Sequence, residues 1–231
     1  SSSNYFAVGP DYYAQIDADG LIFYVDGNQV ISYPTTGTSW YDLSGYGTNG
    51  TLINGPTWNS NGWIEFDGAD DLVEIPMIPL ADFTITQVVN MDNVDNQMPI
   101  GGGLYTNGAD YKGYVWFYKG GNQVRVKVDG EVGPDFGVNV SAWANKWISY
   151  TATRSGSAYK LYINGQQVDQ TYTNSTNQFS VRTIGWGYSN AYAMQGDLSN
   201  TLIYPRELTA AEVSQNYYGG PIVTSDLYSM L

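Results

Sequence analysis

The sequence predicts an all-β protein built as a sandwich, with one short helix near its C-terminal end. Three observations carry this. Apolar residues alternate or fall in short runs, and no long stretch keeps the 3.6-residue period of a helix. Turn signals are dense, with Asn-Gly pairs at 49–50, 54–55, 61–62, 107–108 and 164–165. Aromatic residues reach 15% while charged residues are 13%, about half the usual share. Such a chain has strands to bury and a surface that is polar without being charged.

Residues 1–18 are polar and aromatic without a period, so an extended N-terminal arm is expected there. Gly20-Leu21-Ile22-Phe23-Tyr24-Val25 is an apolar run between Asp-Gly pairs. Trp63-Ile64-Glu65-Phe66 and Leu72-Val73-Glu74-Ile75 flank a sharp turn at Asp67-Gly68. Phe83-Thr84-Ile85-Thr86 alternates, and Tyr114-Val115-Trp116-Phe117-Tyr118 is an aromatic strand. Val124-Arg125-Val126-Lys127-Val128 puts Val on one face and Arg and Lys on the other. Lys146 to Thr153 is a further strand. Tyr159-Lys160-Leu161-Tyr162-Ile163 runs into Asn164-Gly165, a strong hairpin signal. Leu208 to Val213 reads as a helix, with Thr209 and Glu212 forming a capping box and Gly219-Gly220-Pro221 as the stop.

The net charge of −13 argues against a nucleic-acid partner, which needs a basic footprint. It argues equally against anionic membranes, and no run of 18 apolar residues exists to insert in one. There is no Cys and no His. Disulfides, thiolate or imidazole zinc sites and His-based triads are therefore excluded. Acid–base work would fall to carboxylates. The first residue is Ser rather than Met, so a processed chain is expected.

Four stretches in one order carry a resemblance. They are Gly20 to Asp26; Ser39-Trp40-Tyr41-Asp42-Leu43-Ser44-Gly45 with Asn49-Gly50-Thr51-Leu52; Ile64 to Val73; and Gly196-Asp197-Leu198-Ser199-Asn200 followed by Ile203 to Val213. Together, over about residues 20 to 218, they resemble the laminin G-like, concanavalin A-like lectin/glucanase superfamily. The resemblance implies a jelly-roll β-sandwich of two antiparallel sheets, with a last long strand followed by a short helix. The Trp-Tyr-Asp-Leu-Ser-Gly version looks like modules on phage virion proteins, tail fibres and bacterial surface proteins. Asp42, Ser44 and Gly45 also have a purely structural reading, as residues that lock their own turn.

The superfamily's glucanases carry Glu-x-Asp-x-x-Glu on one strand. Glu65-Phe66-Asp67-Gly68-Ala69-Asp70 is a near match. Its third acid is one methylene short, and Gly68 falls where the strand should continue. Retaining glycosidases hold two carboxyls about 5–5.5 Å apart, so the expectation is a protein that is not an enzyme.

Sugar rings stack on exposed aromatic faces beside amides and carboxylates. The best patch is Trp186, Tyr188, Asn190 and Tyr192, where flanking glycines are expected to leave the rings uncovered. Tyr105 with Asn107 and Asp110 is a second. Trp116 and Tyr118 share a strand face by period two. No cofactor is required. For a structural Ca2+, which the resemblance implies for some members, Asp197 is the first candidate ligand, with Asp67 and Asp71 as helpers. Sequons stand at Asn49, Asn139 and Asn174.

The expected organisation is an arm at 1–18, one laminin G-like domain at 19–218, and a tail or following segment at 219–231. The expected function is a surface-displayed adhesion or structural module, as on a virion (decoration, tail or fibre), with glycan recognition. Arm and tail would dock it on copies of itself or on virion or surface proteins, in an extracellular or virion-surface location. The alternative is a secreted carbohydrate-binding protein or a weakly active glucanase-like hydrolase.

Overall fold

A computed structural model describes residues 16–103, 112–130, 132–187 and 189–219. In chain order the strands are β1 (Phe23–Asp26), β2 (Ser39–Trp40), β3 (Gly50–Ile53), β4 (Thr57–Asn59), β5 (Trp63–Asp67), β6 (Leu72–Leu80), β7 (Phe83–Met91), β8 (Gln97–Gly101) and β9 (Gly113–Tyr118). They continue as β10 (Gln123–Val128), β11 (Asp135–Gly137), β12 (Trp147–Ser155), β13 (Ala158–Ile163), β14 (Gln166–Gln167), β15 (Tyr172–Thr173), β16 (Phe179–Ile184) and β17 (Gln195–Tyr204). Helix α1 spans Ala210–Gly219.

Two antiparallel sheets face each other. The nine-stranded sheet runs β14-β13-β12-β7-β17-β5-β4, with β1 also on β17 and β15 also on β13. The eight-stranded sheet runs β11-β10-β9-β8-β16-β6-β3-β2. Residues far apart in sequence are thus neighbours in both sheets, the signature of a jelly roll rather than a meander.

Period-two alternation decides what faces inward. On β7, Phe83, Ile85, Val89 and Met91 enter the core, while Thr84, Thr86, Val88 and Asn90 point away from it. On β10, Val124, Val126 and Val128 are buried in the same core. One polar chain of bonds runs across three adjacent strands of the nine-stranded sheet on its core side. Tyr150 Oη donates to Gln87 Oε1, and Gln87 Nε2 donates to Thr201 Oγ1 at 2.9 Å. Each buried polar atom of this chain of bonds is met, which is what lets polar groups sit between sheets.

A smaller cluster of Tyr162, Leu202, Tyr204, Leu208 and Val213 lies where α1 covers one end of the nine-stranded sheet's outer face. The helix starts as the sequence predicts. Thr209 N donates to Glu212 Oε2 (2.6 Å) and Glu212 N to Thr209 Oγ1 (3.3 Å). The Asn164-Gly165 hairpin has positive φ at both residues, 49° and 76°, as a type I′ turn requires. The Trp-Tyr-Asp-Leu-Ser-Gly stretch is a locked turn. Asp42 accepts from the backbone of Tyr24, Ser44 and Thr48 and from the Ser44 hydroxyl. The expected arm docks in its last residues, where Asp17 N donates to Asn216 Oδ1 of α1 at 2.7 Å.

Candidate functional site

The outer face of the eight-stranded sheet is built by β9 and β10. Val115 and Phe117 turn inward, so Tyr114, Trp116 and Tyr118 turn outward. On β10 the outward residues are Gln123, Arg125 and Lys127, and register sets Arg125 opposite Trp116 and Gln123 opposite Tyr118. The Arg125 guanidinium carbon lies 4.7 Å from the Trp116 ring and 5.0 Å from the Tyr118 ring. Those two rings are themselves 5.0 Å apart and inclined by 34°. Tyr192, in the short turn after Ser189, meets Trp116 edge-on at 5.2 Å.

Asp135 on the edge strand β11 orders the cationic side of this patch. It accepts from Gln123 Nε2 at 2.9 Å and pairs in charge with Lys127 Nζ at 2.7 Å and Arg125 Nε at 3.3 Å, the last without a hydrogen bond. The Trp116 indole N–H is buried and makes no hydrogen bond. An unmet buried donor is costly.

Trp186 lies elsewhere. It is 1% exposed, which corrects the expectation that its glycine neighbours uncover it. Its Nε1 donates to Asn190 Oδ1 at 3.1 Å, and Asn190 itself is exposed. The glycines serve packing: a Cβ on Gly185 would lie 2.3 Å from Phe66, and one on Gly187 the same distance from Met98. Of that patch, Tyr192 joins Trp116, and Tyr188 lies outside the described residues, as do Tyr105, Asn107 and Asp110. Trp116 and Tyr118 do share a face. Arg125 and Asp135 were missed. The alternation of β10 places Arg125 away from the core, but its meeting with Trp116 depends on a strand pairing.

The predicted metal residues divide. Carboxylate oxygens of Asp67, Asp70 and Asp71 lie within 4.8 Å of one another. These groups already have local partners, as where Asp71 Oδ2 accepts from Asp67 N and Asp67 Oδ1 from Ala69 N. Calcium asks for six to eight oxygens, and three carboxylates at a turn supply part of that set. Asp197 is not in the trio. It pairs with Glu65 across β17 and β5, and both line a cleft of about 380 Å³ with Thr57, Asp67, Asp71 and Asp92. Burial, then the charge of Glu65, pushes the Asp197 carboxyl up to about 6. Glu65 is held by Asn59 Nδ2 (2.7 Å) and Thr57 Oγ1 (3.2 Å). β5 ends at Asp67 and Gly68 has φ 79°, so Glu65, Asp67 and Asp70 do not lie along one strand.

Two stacked antiparallel sheets, a ten-residue last strand through the middle of one, and a short helix after it define a lectin-type sandwich. The family comparison agrees, since the model for the concanavalin A-like lectin/glucanases superfamily, of laminin G type, matches residues 66–214, and the chain belongs to that superfamily. No curated protein sequence matches it. Among solved structures it is similar to Trypanosoma rangeli sialidase in complex with sialic acid, at TM-score 0.61 and 16% identity, covering 90% of this chain and 34% of that one. It is similar to the binding domain of Paraclostridial mosquitocidal protein 1 (TM-score 0.57, 15% identity, 87% of this chain and 52% of that one). It is also similar to the botulinum neurotoxin type G receptor-binding domain (0.57, 18%, 86% and 51%). The chain thus spans about a third of the sialidase's length and about half of each toxin chain. At these identities the likeness is one of fold.

Proposed function

We propose that this chain is a non-catalytic, surface-displayed carbohydrate-binding module that holds a saccharide on the outer face of its eight-stranded sheet. One observation carries the reading. Trp116, Tyr118 and Tyr192 gather on that face around Arg125. A sugar offers C–H faces to the rings, hydroxyls to donate to Asp135, and oxygen lone pairs to Arg125. The superfamily and its toxin and sialidase neighbours support a binding role of this kind.

Display on a larger assembly, such as a virion tail, fibre or decoration site, is part of the same reading. Asp17 is bonded to Asn216 of α1, so the first and last described residues lie near each other. That arrangement suits docking on a surface protein or a second copy while the sheet faces stay clear.

A glycan array followed by titration calorimetry tests the proposal. Trp116→Ala and Arg125→Gln are each expected to weaken the best-bound glycan at least tenfold, with unchanged circular dichroism. Wild-type affinity in both variants would refute the site. The non-catalytic half has a separate test. Prolonged incubation with β-glucans is expected to give no reducing ends above buffer, from wild type or from Glu65→Gln; product lost specifically in Glu65→Gln would make the protein a hydrolase.

A further inference from the structure

Charge is spread unevenly along this chain. It has 22 acidic and 9 basic residues, yet from Gly27 to Ile64 the only charged side chain is Asp42. Asp42 is engaged inside its own turn, accepting from the backbone of Ser44 and Thr48 and from the Ser44 hydroxyl. The same neutral stretch holds most of the bare apolar surface. Val30, Ile31, Tyr41 and Tyr46 are 67, 71, 44 and 69% exposed, four of the seven exposed large hydrophobic side chains among the described residues. Such residues scattered singly need no explanation; a group of them does.

Backbone bonds hold the four on two neighbouring turns. Gln29 O accepts from the N–H groups of Ser32 and Tyr33, both at 2.8 Å, closing the turn that lifts Val30 and Ile31. Tyr41 N donates to Ser32 O and Ser32 Oγ donates to Tyr41 O, both at 2.7 Å. This turn therefore lies alongside the end of β2. Tyr46 stands on the next turn, the one that Asp42 locks. Pro34, Thr35, Thr36 and Thr38, between the two, are exposed and uncharged. Thr35 has φ 66°, where every other non-glycine residue of positive φ among the described residues is Asn. A β-branched residue in that region is strained. Tyr33 Oη, donating to Gly37 O at 2.7 Å, braces the loop around it. A surface held rigid before its partner arrives loses less entropy on association.

Charge selects the partner. A cationic protein would be drawn to the carboxylates elsewhere on the molecule. A second copy brings the same net charge of −13, and it approaches most easily where neither surface carries charge. We propose that two copies of this chain pair through the turns bearing Val30, Ile31, Tyr41 and Tyr46, about a two-fold axis that sets each patch against its own likeness. The contact lies at the β2 end of the eight-stranded sheet. Trp116 on β9 is five strand steps from β2, roughly 24 Å. The β9–β10 face thus stays open in both copies, and the pairing does not depend on what that face binds. Four side chains and a neutral rim make a small interface against the ~800 Å² per partner of a standard one, so the expected affinity is micromolar.

The full chain is followed by sedimentation velocity from about 1 to about 500 µM, a range that brackets micromolar pairing. The expected result is a monomer–dimer equilibrium that tightens about threefold or more as NaCl rises from about 20 to about 300 mM, because salt screens the repulsion between two acidic chains. Ile31→Glu and Tyr46→Glu each set like charges across the axis and should weaken the dimer at least tenfold. Tyr218→Glu, at a 65% exposed tyrosine on α1, should leave it unchanged. Urea midpoints show whether all three variants keep their fold. A wild-type chain that stays monomeric throughout would overturn the proposal. So would a dimer that survives both Ile31→Glu and Tyr46→Glu, which would move self-association to another surface, or one that salt loosens, which would assign the contact to ion pairs. A monomer that instead binds phosphatidylcholine vesicles, with binding lost in Ile31→Glu, would overturn it in favour of a lipid surface.

Discussion

Asp26 is a carboxylate at the end of β1 with no exposed surface, and burial pushes its carboxyl up to about 6 from an ordinary 3.8. Three hydrogen bonds oppose that rise: from Asn28 N at 2.9 Å, from Tyr24 Oη at 3.1 Å, and from the Gln29 side chain. Because the folded chain holds this proton more tightly than the unfolded chain, its contribution to stability is fully present below pH ~4. It is lost as pH rises through about 6. A shift of about two units corresponds to roughly 3 kcal/mol as an upper bound. Asp26→Asn removes the titration. Its Oδ1 can still accept from Asn28 N, and its Nδ2 can donate to Tyr24 Oη, but the charge-assisted character of both bonds is lost. The variant should be about 1–2 kcal/mol more stable than wild type at pH 7.5, with the advantage vanishing or reversing at pH 4. Urea denaturation at half-unit steps measures this, provided m is unchanged. Asp197 and Asp71, whose carboxyls are also raised, titrate in both proteins and cancel in the difference. A wild-type minus variant difference that stays flat from pH 4 to 7.5 would show that Asp26 is not the strained group.

Three further outcomes follow from packing and ligation. Gly185→Ala places a methyl 2.3 Å from the Phe66 ring at φ 79°, so it should cost about 2–3 kcal/mol, read as a lower urea midpoint; a neutral effect would mean that Phe66 is free to move. Arg154, 1% exposed, donates to the carbonyls of Asn177 (2.6 Å) and Leu80 (3.2 Å) and to Tyr159 Oη. Arg154→Met strands both carbonyls and should cost about 2–4 kcal/mol; a melting temperature within 1 °C of wild type would contradict this. EDTA should shift the melting temperature by less than about 2 °C, because a chain this long can build its core without a metal staple; a larger, calcium-reversible drop would reassign Asp67, Asp70 and Asp71 as a structural cation site.

What could be read in the sequence was what short-range physics determines. The alternation of Val124, Val126 and Val128, the Thr209–Glu212 capping box and the Asn164-Gly165 turn each depend on residues within one strand, turn or helix end, and each appears in the fold. The aromatic sites depend on pairings that no local pattern encodes. Trp186 shows how a local rule misleads. Glycines beside an aromatic ring read as bareness, yet Gly185 and Gly187 are there because Phe66 and Met98 press on the backbone, leaving no room for a side chain. Close approach of that kind marks a core, so the same dipeptides that promised an exposed indole are evidence of a buried one. Trp63 and Trp147 are the reverse case: neither has a local signature, and they meet because three strand steps and one bulge bring their faces together. In a jelly roll of this type, where paired residues such as Phe23 and Ile203 lie about 180 positions apart, a site is a property of the register. The residues that compose it become visible once the pairing is known.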